Sequence, residues 1–119
     1  MDGAIVIRWG SAIPGREAKG LEVLSQAQQS FDELAKEHRI REHREYFSIS
    51  GGNGGFMIVE GDLDELAKLM HEPEQLALQA KAAAIVSDFS RELVGGGTDP
   101  GVQTIVGNYM NALSEIGYL

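Results

Sequence analysis

The side chains able to exchange a proton near neutral pH are His38, His43 and His71. A metal site needs several such ligands on one face at fixed geometry. His38 and His43 straddle a predicted helix-to-strand junction, His71 runs into Glu72 and Pro73, and no His-Glu-x-x-His spacing occurs. The pattern therefore predicts no metal. His43 is the histidine placed to act as a general base if its strand borders a pocket. The chain has no cysteine, which removes thiolate nucleophiles, disulfides and cysteine-ligated zinc or iron–sulfur centres. No serine lies in a Gly-x-Ser-x-Gly elbow, so hydrolysis through an activated serine has no support. Glu60 closes an apolar run and suits a hairpin or capping role better than acid–base work.

Neither glycine-rich stretch has the form of a phosphate cradle. Gly51-Gly52-Asn53-Gly54-Gly55 lacks the Lys-Ser/Thr of a phosphate-binding loop, and a strand pattern follows it where a helix would be required. It reads as a hairpin loop, because glycine and asparagine tolerate positive φ. Gly95-Gly96-Gly97 reads as a connector. No cofactor is expected.

What remains is the chemistry of an apolar pocket. Trp9 is the sole tryptophan and either packs in the core or lines a cavity with its ring and N–H. Along residues 41–50 the sets His43/Glu45/Phe47/Ile49 and Arg44/Tyr46/Ser48/Ser50 point to opposite faces of a predicted strand. A regular strand turns only one set toward a pocket, so both stay open. Trp9, His43, Tyr46 and Phe47 are the candidate ligand-lining residues, and no catalytic residue is assigned.

The elements that must position them follow from periodicity. Ala4–Trp9 is short, β-branched and apolar, and reads as a buried strand. Pro14 suits the first position of a helix running to about His38, with Leu21, Leu24, Phe31 and Leu34 on its inner face. Phe56–Glu60 is the antiparallel partner of 41–50. Asp62 can cap a second helix, which Pro73 interrupts before a further helical piece to about Ala83, carrying Leu76 and Ala80 inward. Ile85–Leu93 alternates weakly and reads as an edge strand. Thr98-Asp99-Pro100 opens a last helix with Val102, Ile105, Tyr109, Met110 and Leu113 in one stripe.

A length of 119 residues suits one domain. We divide it into a ferredoxin-like α+β unit at 1–94 and, at 95–119, a glycine linker with an amphipathic helix packed on the same domain or on a partner subunit. The formal net charge of −8 argues against nucleic acid. No run approaches the ~20 apolar residues of a membrane span. Met1–Ile5 has no basic region leading into an apolar stretch, so no signal peptide is expected and the predicted location is the cytoplasm.

Strand, helix, strand, strand, helix, strand is the split βαβ order of a ferredoxin-like antiparallel sheet with helices on one face. The strand ending in Arg8-Trp9-Gly10, the Pro14-Gly15-Arg16-Glu17 helix opening, the strand Gly55–Gly61, and Asp62-Leu63 leading through Leu69 into Pro73 carry a resemblance. Over roughly residues 4–94 the chain resembles the dimeric α+β barrel superfamily. The resemblance implies two sheets paired face to face in a homodimer. Some members are cofactor-independent monooxygenases, some bind or degrade haem, and some are dehydratases or isomerases. It implies a domain that binds or transforms a small, partly apolar molecule, with cofactor-free oxygenation of an electron-rich aromatic as the first reaction to test. The alternative is a non-catalytic structural or interaction dimer whose cavity is filled by its own side chains.

Overall fold

The computed structural model describes residues 1–52 and 54–119. Asn53, assigned above to the hairpin loop, lies outside the described residues. The elements are β1 (Asp2–Trp9), α1 (Glu17–Lys36), β2 (Glu42–Phe47), β3 (Gly55–Asp62), α2 (Leu63–His71), α3 (Pro73–Ala83), β4 (Ser90–Gly95) and α4 (Asp99–Glu115). The sheet order is β2-β3-β1-β4 and every pairing is antiparallel.

Register decides the two faces. Ile5 pairs with Val59, which pairs with His43; Ile7 pairs with Met57, which pairs with Glu45; Trp9 pairs with Gly55, which pairs with Phe47. Cross-strand partners share a face. On that face Ile5, Ile7, Met57 and Val59 pack against Phe31 and Leu34 of α1 and Leu66 and Leu69 of α2 in one buried cluster. The opposite face carries Val6, Ile58, Phe56 and Tyr46, with Phe56 and Tyr46 exposed. Its charges pair locally: Arg8 with Glu92 at 3.5 Å and Arg44 with Glu60 at 2.7 Å.

Local chemistry explains the boundaries. Pro14 does not open α1. Pro14 and Gly15 are the central residues of a turn closed by the Arg16 N–H on the Ile13 carbonyl at 2.9 Å. Gly15 takes φ 89°, as the third position of a type II turn requires. Asp62 caps α2 by accepting the Glu65 N–H at 3.2 Å, and Thr98 caps α4 by accepting the Gly101 N–H at 3.2 Å. Glu72 ends α2 in an extended conformation and Pro73 starts α3 at its first position.

Two further expectations need correction. The predicted strand 85–93 divides in two. Segment 10–13 pairs with 85–87 (Gly10 N–H to Ser87 O, 2.7 Å; Ile13 N–H to Ile85 O, 2.7 Å). Asp88, at φ 54°, then breaks the run before β4 begins at Ser90. On α3 the inner face is reversed: Gln75 is 7% exposed while Leu76 is 45% exposed, and Ala80 is also exposed. Gln75 tolerates burial because its amide donates to Ser30 Oγ at 3.0 Å. The α4 stripe is as expected, and within the single chain Ile105, Tyr109 and Met110 are exposed while the helix meets β1 and β4. The radius of gyration is 16.7 Å, against about 13.5 Å for a compact chain of this length. The chain measures 55 × 34 × 25 Å.

Candidate functional site

Packing between the sheet and the helices is tight at one end only. The fully buried side chains Val59, Leu66 and Leu69 fill the α2 end. Toward Trp9 the inner surfaces of α1 and α3 offer small groups, Gly20 and Ala27 on one and Ala82 on the other. The result is a cavity of about 560 Å³ between the helix face of the sheet, α1 and α3, within the size range of small-molecule sites. Its rim is held by the 10–13/85–87 pairing described above.

Trp9 and Phe47 form the aromatic wall, edge to face at 5.9 Å between centroids. Gly55 makes room for the indole: a Cβ there would stand 3.1 Å from Trp9 Cζ2 and 2.1 Å from the Tyr46 carbonyl oxygen. Tyr46 lies on the other face of the sheet and stacks on Phe56 at 4.9 Å. His43 shares the face of Phe47, but two pairs further along, against Phe31 at 5.9 Å and outside the cavity wall. The structure thus brings Trp9 and Phe47 together and keeps His43 and Tyr46 apart from them. Neither histidine chemistry nor a phenol is available at the wall; its titratable side chains are Glu17 and Arg91.

The polar residues of the wall include Glu17 at the start of α1 and, deeper on α3 and β4, Gln75, Gln79 and Arg91. The Arg91 Nη2 donates to the Met70 carbonyl at 3.2 Å, while its Nε is buried with no partner, as is Gln79 Oε1. Burial pushes the Arg91 guanidinium below its ordinary value. Periodicity turns apolar residues inward, so Gln75, Gln79 and Arg91 gave no signal. A glutamine pair four apart on a helix of otherwise weak amphipathicity was the available clue.

His43 has a different role. Its Nε2 lies 2.5 Å from Asp32 Oδ1 and its Nδ1 2.6 Å from Glu45 Oε1. A neutral imidazole has one N–H and can satisfy only one of these acceptors; the imidazolium satisfies both. Burial works against the charge, but the two carboxylates outweigh it and raise the His43 pKa above its usual 6.5. A raised folded-state pKa stabilises fully below the unfolded value and is lost as pH climbs through the folded one. We expect the urea midpoint to fall as pH rises from about 6.5, and His43→Gln to lose that component. A wild-type midpoint that holds or rises over the same span would contradict this.

No family model and no curated protein matches the sequence. Solved structures do. SnoaB, a cofactor-independent oxygenase from Streptomyces nogalater, is 16% identical with a TM-score of 0.62, covering 82% of this chain and 94% of that one. A dimeric protein of unknown function and ferredoxin-like fold from Bacteroides fragilis is 13% identical at TM-score 0.57, covering 77% and 93%. A dimeric ferredoxin-like protein of unknown function from Jannaschia is 11% identical at TM-score 0.61, covering 79% and 98%. The chain has the ferredoxin-like fold. In this ferredoxin-like domain the cavity sits between the helices and the sheet, and α4 lies outside it.

Among the described residues no cluster of three or more metal-ligating side chains occurs, and no helix is long and apolar enough to cross a membrane.

Proposed function

We propose that this chain is a homodimeric small-molecule protein whose cavity takes a flat, largely apolar aromatic ligand, with cofactor-independent oxygenation as its reaction. The observation that carries the reading is the cavity of about 560 Å³ walled by the Trp9–Phe47 pair. An edge-to-face aromatic pair offers a third ring both a face and an edge to pack on. The fold likeness to SnoaB supports the oxygenase half of the proposal. The homodimer rests on the uncovered sheet face and on the neighbours described as dimeric. The apolar stripe of α4 would pack on the partner subunit.

Calorimetric titration with 1-naphthol is expected to give a saturable heat, and an oxygen electrode is expected to read uptake above the protein-free rate. Ala82→Trp, which places an indole in the cavity from the α3 wall, should abolish both while leaving the far-ultraviolet spectrum intact. Binding without oxygen uptake would remove the oxygenase and leave a binding protein. No heat from 1-naphthol or from any other naphthalene probe, neutral or acidic, would remove the cavity reading and favour the non-catalytic dimer.

A further inference from the structure

We propose that the cavity selects aromatic carboxylates, the carboxylate seated on Arg91 and an adjacent hydroxyl donating to Gln79. This rests on the cavity being a ligand site, as argued above, and adds the polar end that the ligand must carry.

The argument begins with charge. The chain has 18 acidic and 10 basic residues, and five of the ten, Arg8, Lys19, Arg39, Arg41 and Arg44, sit within ion-pair distance of a carboxylate. Arg16, Lys36, Lys68 and Lys81, like Arg91, do not among the described residues, but of these five only Arg91 lines the cavity. Arg39 pairs with Glu65 and Glu72, Arg41 and Arg44 share Glu60, and Arg8 takes Glu92. Arg91 has no carboxylate within ion-pair distance among the described residues. Its own neighbour in sequence, Glu92, points to the opposite sheet face, toward Arg8. What Arg91 has instead is one neutral acceptor, the Met70 carbonyl, and an Nε buried without a partner at the cavity wall.

A guanidinium withdrawn from water without an anion is costly, and an unmade hydrogen bond adds to that cost. Such a group persists where something supplies the missing partner. The apolar side chains around it, Ile7, Met57 and Phe89, supply none. A carboxylate fits both needs, because it carries the opposite charge and accepts in the plane of the guanidinium. Gln79 Oε1, also buried, unpartnered and on the wall, is the complementary acceptor. It asks the ligand for a donor. An aromatic ring bearing a carboxylate beside a hydroxyl offers an acceptor to the Arg91 guanidinium and a donor to the Gln79 side chain, and leaves its ring for Trp9 and Phe47.

The test compares three probes on the wild-type protein by calorimetry: 1-hydroxy-2-naphthoate, its methyl ester and 1-naphthol. The acid is expected to bind at least ten times more tightly than either neutral probe. Arg91→Met is expected to reduce the acid to the affinity of the ester, with the neutral probes unchanged, and Gln79→Leu to weaken 1-hydroxy-2-naphthoate more than 2-naphthoate. If all three probes bind equally, the cavity reading stands and the carboxylate inference is overturned. If none binds, both fail. An acid preference that survives Arg91→Met overturns the assignment to Arg91. The wild-type acid-to-ester ratio decides the class even if Arg91→Met does not fold.

Discussion

Leu66→Ala is expected to lower the stability of this protein by about 2–5 kcal/mol, the largest loss from any single truncation of a leucine in the chain. Leu66 is 0% exposed, on α2, among Ile5, Val59, Leu34 and Ile40. It lies at the packed end of the molecule, where no neighbouring void can absorb the change. The cost is the lost transfer of the removed methyl groups plus the cavity they leave. Domains of this size have only about 5–15 kcal/mol in all, so the variant should lose about a third of it at the middle of both ranges. Urea unfolding at fixed protein concentration measures this as a lower midpoint with unchanged slope. Leu76→Ala is the control. Leu76 is exposed on α3, and its truncation should stay within about 0.5 kcal/mol. Equal losses at both positions would overturn the inner face assigned to α3.

That control marks where sequence and structure part. The element order could be read because most elements carry a clear local pattern: alternation in β2, a continuous apolar run in β3, spacings of three and four in α1 and α4. Caps at Asp62 and Thr98 and the break at Pro73 are local chemistry and were equally readable. The Trp9 and Phe47 candidates follow from their strand positions. What failed was the rule that apolar means inward. Along α3 it selects Leu76, whereas the helix presents Gln75 and Gln79. The rule describes a packed core, and this part of the fold encloses space, so a polar side chain can face inward without meeting hydrocarbon on every side. Arg91 escaped notice for the same reason. The choice between His43/Phe47 and Tyr46 was a register question. It is settled by β3, whose Val59 and Met57 face the core and so fix which residues of β2 do. The break at Asp88 left no mark, because a positive φ at aspartate has no periodic signature.

Ile58→Lys is expected to convert a dimer into a monomer. Ile58 sits at the middle of the uncovered face, paired with Val6 on β1 and Arg44 on β2, with Phe56 stacked on Tyr46 beside it. A self-complementary contact about a two-fold axis places each such residue in the interface twice. The local pairs Arg8–Glu92 and Arg44–Glu60 flank this apolar centre and keep their own charges neutralised. The middle can therefore close against a second copy without burying an unpaired charge. A lysine at 58 removes that condition in both subunits. An unpaired charge buried at an interface costs about 3–5 kcal/mol, which for each such charge corresponds to a dissociation constant raised about 100- to 4000-fold. Light scattering after size exclusion should read twice the 12.9 kDa chain mass for the wild type and the single mass for the variant at the same micromolar loading. The Ile58 side chain is only half-buried within one chain, so the far-ultraviolet spectrum of the variant should match the wild type. Ile58→Ala, which adds no charge, should weaken the dimer less than Ile58→Lys. A wild type that already elutes at 12.9 kDa would show that the sheet face stays open to solvent. The apolar stripe of α4 would then be left without the partner proposed for it.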